Sequence, residues 1–362
     1  MAIFCLTIFV FVSSLFSLSG KYAVKYSGQP LLNKFTIGGI ILFSLWVGLR
    51  YNPDIDPDFL NYWYVAQYGD GFYEYDRFEI IPRLLADINL WLGWGPSGWF
   101  IMMGALLAYF TIFAAHRLNP RYIAPAFVGM VLIYLSFDMN VMRQGVALSV
   151  FLCALTYIKD RNWKMYLLFM AIAFGFHRSS IIWSPVYLLT YISWAERVKW
   201  KYFLFLGGMF FAMSFLVILI QRFSFVFALM NMEINSASDI DFIEVENVSS
   251  GFGVVLKYTR WLLLAYFIPK VAKAINNEEL HIYLVLFLMG VVMDPFGMNT
   301  ILIQRVSYYP LVIEILLYPY IIDYCRINAR SRSFIKPILT IQVLLLTYVI
   351  SGYFSKWAFV SL

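Results

Sequence analysis

Apolar runs alternate with short polar breaks along almost the whole chain. Hydropathy read in helix-length windows gives about twelve runs, at 2–20, 35–49, 97–115, 122–138, 141–158, 165–177, 180–194, 202–221, 252–269, 281–293, 301–322 and 337–354. A hydrocarbon layer of ~30 Å takes about 20 helical residues to cross, and a helix satisfies its own backbone groups there. The pattern therefore predicts an all-α polytopic membrane protein with about twelve transmembrane helices. The shorter runs are expected to tilt or to borrow flanking residues. The first run lacks the basic leader of a secretory signal and reads as a transmembrane helix. The chain reads as a single transmembrane domain, 1–362.

Two breaks are too long to be turns. Residues 50–96 contain "FLNYWYVAQYGDGFYEYDRFEIIPRLLADINLWLG", which predicts short amphipathic helices on the outer membrane surface, interrupted at "YGDG" and Pro82. Their tyrosines and tryptophans suit an interfacial aromatic belt. Residues 222–251 end in "NSASDIDFIEVENVSSG" and read as a second outer loop, expected to gate the cavity beneath it. The other breaks leave no room for a cytoplasmic catalytic domain.

Composition agrees with this pattern. The chain is 62% hydrophobic and 13% charged, against about 45–50% and 25% in soluble domains. Of 27 basic residues, 17 fall in alternate loops, around Lys21–Lys34, Arg117–Arg121, Lys159–Lys164, Arg197–Lys201, Lys270–Lys273 and Arg326–Lys336. The positive-inside rule makes that side cytoplasmic and puts both termini outside. Of 21 acidic residues, 15 fall on the opposite side. The net charge of +6 is thus a topology signal without a clustered nucleic-acid footprint, and no nucleic-acid partner is expected. Cys5, Cys153 and Cys325 lie far apart, with no metal-ligand spacing or disulfide framework.

Ten basic residues lie off these loops, and five arginines among them matter, all in the outer half: Arg50, Arg143, Arg178, Arg260 and Arg305. An arginine at membrane depth costs about 2.5–3.5 kcal/mol on insertion scales, so it has a partner or a task. Snorkelling and pairing with outer carboxylates is one reading. A shared basin for a diphosphate is the other, because the guanidinium fork pairs bidentately with phosphate oxygens.

Two tight outer turns add candidates. In "SFDMNVMRQGVAL", Asp138 and Asn140 are expected to cap the next helix, while Arg143 and Gln144 face the outer cavity. In "GFHRSS", His177 precedes Arg178, Ser179 and Ser180. His177 reads either as a hydrogen-bonded structural residue or as a base for a sugar hydroxyl. The stretch "RYNPDIDPDFLNY" places Asp54, Asp56 and Asp58 after Arg50, a pattern open to a divalent metal or a general base. Glu79, in "RFEIIP", is the remaining outer carboxylate of interest.

Taken together, "LRYNPDIDPDFLNYW", "RFEIIPRLL", "NVMRQGVALSV", "FGFHRSSIIWSPV" and "QRVSYYP" resemble the EpsG-like branch of the Wzy-type polysaccharide polymerases. The family's motifs map onto Arg50, Asp56 or Asp58 and Tyr62, then Asn140, Arg143 and Gln144, then His177 and Ser179, then Arg305 with Tyr309. The stretch "NPDIDPD" departs from the pattern, which has a glycine before the aspartate, so which aspartate matters stays open. The resemblance implies an enzyme that joins oligosaccharide repeat units carried on undecaprenyl diphosphate, at the periplasmic face of the bacterial inner membrane. It implies a metal-independent reaction without cofactor, in which arginines bind the diphosphate. It further implies membrane lipids, a chain-length regulator and a flippase as partners. An O-antigen ligase, a transferase using polyprenyl-monophosphate sugars, and a flippase or transporter for lipid-linked sugars remain the alternatives.

Overall fold

The computed structural model describes residues 1–26, 30–56, 58–191, 252–275, 279–297 and 301–360. Among these residues the fold is helical, with one isolated antiparallel bridge between Arg50 and Phe359. The run expected at 202–221 and the loop expected at 222–251 lie outside the described residues. The chain packs as two compact units, one formed by Met1–Ser184 with Ile322–Leu362, the other by Pro185–Ile321.

In the first unit, α1 (Ala2–Lys25) and α2 (Lys34–Gly48) pack against each other. The Asn33 side chain caps α2 by accepting from Phe35 N and Thr36 N, and donates to Ser19 Oγ at 2.9 Å. Two short helices follow, α3 (Phe59–Tyr68) and α4 (Ile80–Trp91). Helix α5 (Pro96–Leu118) starts with proline at a position that needs no amide donor. Residues 123–140 form α6 (Ile123–Gly129), a π turn (Met130–Tyr134) and α7 (Leu135–Asn140). Helix α8 (Met142–Lys159) is the centre of the unit, buried along nearly its whole length. Helix α9 (Trp163–Phe176) leads into a 3-10 run, Arg178–Tyr191.

In the second unit, α10 (Phe252–Ile275), α11 (Glu279–Gly297) and α12 (Ile301–Leu311) pack in sequence. Helix α13 (Glu314–Ile327) leads back to the first unit, where α14 (Ala329–Ser355) lies against α1.

Among the described residues, four segments are long and apolar enough to cross a membrane: Ala2–Lys25, Pro96–Leu118, Pro120–Asn140 and Ala329–Ser355. The expectation of about twelve is therefore supported for these four. Helices α2 and α9 are apolar but have only 15 and 14 residues. The run expected at 180–194 is 3-10 up to Tyr191, and the run expected at 301–322 is divided at Val312 and Ile313. Hydropathy registers apolar length but not the points where a helix stops. Helices α1 and α14 expose most of their apolar surface, including Ile3, Val10, Leu344 and Tyr348, as lipid-facing helices do.

The turns of the first unit sort into two ends. At one end, Ser19 bonds Thr36, a Cβ on Gly20 would meet the Pro120 carbonyl oxygen at 2.4 Å, and Arg117 pairs with Asp160. This is the end with the basic residues of Arg117–Arg121 and Lys159–Lys164. At the other end lie the close of α2, the starts of α5 and α8, the close of α9 and the last turn of α14. Close helix approach there depends on Gly48, whose Cβ would come within 2.7 Å of the Ile101 backbone nitrogen. All three cysteines are free and buried.

Candidate active site

Glu79 stands just before α4, held extended at φ −69° and ψ 166°, and does not cap that helix with its side chain. Its carboxylate reaches instead to two other elements. Oε2 meets Arg143 Nη1 at 2.5 Å, and Oε1 accepts from the Arg178 backbone N–H at 3.2 Å. Glu79 thus ties the start of α8 to the close of α9. The Glu79 side chain is 3% exposed and that of Arg143 13%.

The Arg143 side chain is set by its surroundings. Its Nη1 also donates to the Arg77 carbonyl at 3.3 Å, and its guanidinium carbon lies 4.4 Å from the centre of the Phe78 ring and 5.9 Å from that of Tyr62. Such contact with aromatic faces favours the cation. Tyr62 is itself buried, stacked on Trp99 with ring centres 5.4 Å apart.

His177 follows α9 in extended conformation and is buried. Its Nδ1 lies 2.7 Å from Ser179 Oγ, which fixes the rotation of the ring in either tautomer. Arg178 and Ser179 are half-buried, and Ser180 is fully enclosed. The two turns singled out in the sequence therefore meet, with Glu79 as their junction.

The break at Val141 has a different form from the one expected. Helix α7 continues through Asp138 and Asn140, so neither caps α8. Val141 takes the cap position at φ −115° and ψ 62°, with no side-chain hydrogen bond. Asp138 is buried instead against Gly145, where a Cβ would meet its Oδ1 at 3.0 Å. Gln144 is fully buried and Asn140 half-buried.

Arg50 and Asp56 form a second cluster. They pair with each other, with side-chain exposures of 0% and 1%. Arg50 Nη2 donates to the Met139 carbonyl at 3.0 Å, and Tyr353 donates its hydroxyl to Asp56 Oδ1 at 3.0 Å. Phe59, Phe100 and Trp357 surround the Arg50 guanidinium, with ring centres 5.4–5.9 Å away. Asp58 stands at the start of α3, where its carbonyl accepts from Tyr62 N at 3.1 Å. Sequence reading missed Tyr353, Trp357 and Asn52, whose Oδ1 accepts from Ala358 N at 3.1 Å. No short motif surrounds Tyr353, which is 297 residues from Asp56.

Arg260, Arg305 and Tyr309 belong to the second unit. Arg260 Nη2 bonds Glu314 Oε1 at 3.0 Å, both side chains being nearly inaccessible, and Lys257 bonds both oxygens of Asp294 at 2.7 Å. Arg305 is half-buried on α12 and Tyr309 fully buried on the same helix.

The fold and the first unit's clusters define a helical membrane protein with acid, arginine and histidine gathered at one end of that unit's helices. A family model, that of the EpsG family, matches residues 35–359, and the chain belongs to this family of Wzy-type polysaccharide polymerases. No curated protein and no solved structure matches it.

Proposed function

We propose that the protein is a glycosyltransferase that polymerises oligosaccharide repeat units carried on undecaprenyl diphosphate. We place the site at the periplasmic face of the inner membrane, because the first acidic break and the Glu79 junction lie at the end of the first unit opposite its basic turns. In the reaction, a hydroxyl oxygen of one lipid-linked unit attacks the anomeric carbon of the growing chain. The bond from that carbon to the diphosphate oxygen breaks, the hydroxyl proton passes to a base, and lipid diphosphate leaves. The chemistry needs a charge that stabilises the leaving group and a positioned base.

The observation that carries this reading is the junction of Glu79 with Arg143 and the Arg178 N–H. It places an arginine on the first turn of α8, a position that favours anions through the helix's unpaired amides. Arg143 and Arg178 are proposed to hold the diphosphate, with Glu79 setting the direction of the Arg143 fork. His177 is proposed as the base, its ring oriented by Ser179. Both oxygens of Glu79 and both of Asp56 already accept hydrogen bonds, which suits those carboxylates to positioning. Tyr62, Asn140 and Gln144 are proposed to shape the same region. No metal is invoked, because arginine supplies the charge.

Purified protein incubated with lipid-linked repeat units is expected to give a ladder of products on the lipid carrier. Transfer of one unit to a different acceptor would make it a ligase. Movement of intact substrate across vesicles without a ladder would make it a transporter.

A further inference from the structure

We propose that the C-terminal segment 353–360 is a positioning element for the site. Tyr353 and Asp56 act through Arg50, which holds the Met139 carbonyl and with it the helix break that presents Arg143. This inference rests on the proposed role of Arg143.

The break explains the need for Arg50. In an unbroken α-helix the Met139 carbonyl would accept from the N–H of the residue four places on, which is Arg143. The chain turns at Val141, α8 starts afresh at Met142, and that carbonyl is left over. Arg50 Nη2 occupies it at 3.0 Å. A guanidinium from another element thus takes the place of Arg143's own amide. If that donor is lost, α7 and α8 can rejoin, and the Arg143 side chain would swing round the helix away from Glu79.

Arg50 is in turn fixed from the C-terminus. Its Nη1 is held by Asp56, whose other oxygen accepts from Tyr353. Beyond Tyr353 the chain runs antiparallel to residues 49–52. Tyr51 N donates to the Ala358 carbonyl at 2.8 Å, Val360 N to the Leu49 carbonyl at 2.9 Å, and Ala358 N to Asn52 Oδ1. Trp357 closes the aromatic wall around the guanidinium. Arg50 is 0% exposed, so this network is a closed one.

Amide hydrogen exchange of the purified full-length protein, read beside polysaccharide yield in its own host, tests the inference. Arg50→Lys keeps a cation beside Asp56 but loses the fork that also reaches Met139. Tyr353→Phe removes one hydroxyl, is the milder change, and serves if the first variant does not accumulate. Each is expected to speed exchange of residues 138–145 by about tenfold, the scale of one hydrogen bond to a charged group. Exchange around Ser19 and Thr36 at the opposite end should stay unchanged. A clasp that merely tied down the tail would loosen 50–56 and 353–360 and leave 138–145 as in the wild type, which would overturn the inference. Faster exchange at 138–145 with full polymer yield would uphold the positioning and sink the role given to Arg143.

Discussion

Glu79 and Arg143 are 64 residues apart in the chain, and their side chains meet at 2.5 Å. Glu79 is placed by the extended residue before α4, Arg143 by the break before α8. Replacing Glu79 by Gln keeps an acceptor for the Arg178 amide but removes the charge opposite Arg143. Polymer yield is expected to fall at least about a hundredfold, as when a positioned polar group is lost from an active site. Arg143→Lys keeps the charge without the planar fork and is expected to lose at least about tenfold. Membrane abundance, measured alongside, must stay near wild type. Full ladders from both variants would remove the pair from the mechanism.

His177→Ala is expected to lower turnover by about 10²–10⁴-fold, the usual range for a positioned base, while lipid-diphosphate binding stays near wild type. Ser179→Ala frees the ring rotation and should produce a smaller loss in the same direction. Equilibrium binding of a lipid-diphosphate probe, compared with single-turnover rates, separates the two effects. Loss of binding together with turnover would make His177 a ligand.

The pair Arg260 and Glu314 predicts a stability result. Arg260→Leu leaves a buried carboxylate without its cation, a change that costs about 3–5 kcal/mol. Arg260→Leu combined with Glu314→Leu should regain most of that loss, because burying two apolar groups restores a compatible interior. Thermal unfolding in detergent reads the difference. A double variant that is abundant and makes polymer at full yield would exclude Arg260 from the diphosphate site.

Tyr75 gives a pH prediction within the first polar segment. Burial, and then the hydrogen bonds its hydroxyl makes to both oxygens of Asp87 at 2.7 Å, push its pKa up to about 12 from an ordinary value of about 10. The folded protein therefore holds that proton more tightly than the unfolded chain. The stabilisation is fully present below about pH 10 and is lost as the pH rises toward 12. Difference absorbance titration against Tyr75→Phe should place the midpoint near 12, and Asp87→Asn should lower it. A midpoint near 10 in the parent protein would contradict the contact.

Topology is checked with two single cysteines in a background whose native thiols are buried. Asp76→Cys, at an acidic side chain 93% exposed, should react with an impermeant maleimide in intact spheroplasts. Arg332→Cys, in the last basic loop, should react only after lysis. The reverse pattern would move the Glu79 junction to the cytoplasmic side and remove the periplasmic mechanism.

The sequence by itself determined the helical membrane class, and it supplied the expected sidedness and the residue types of the candidate site. Those signals are local: hydropathy is summed over one helix, and charge over one loop. Glu79, Arg143 and His177 could be picked out because polar residues stand out against an apolar background. Their partners could not be chosen that way. The Arg178 amide lies 99 residues from Glu79, and the Tyr353 hydroxyl 297 residues from Asp56. Hydropathy also does not register where α12 stops short of α13 or where a run coils as 3-10. Only the tertiary structure decided that Arg50 is enclosed by aromatic rings while Arg143 keeps some access. The physical reason is that burial and pairing depend on which helices pack together, and a charge must take whichever partner that packing brings within hydrogen-bond reach.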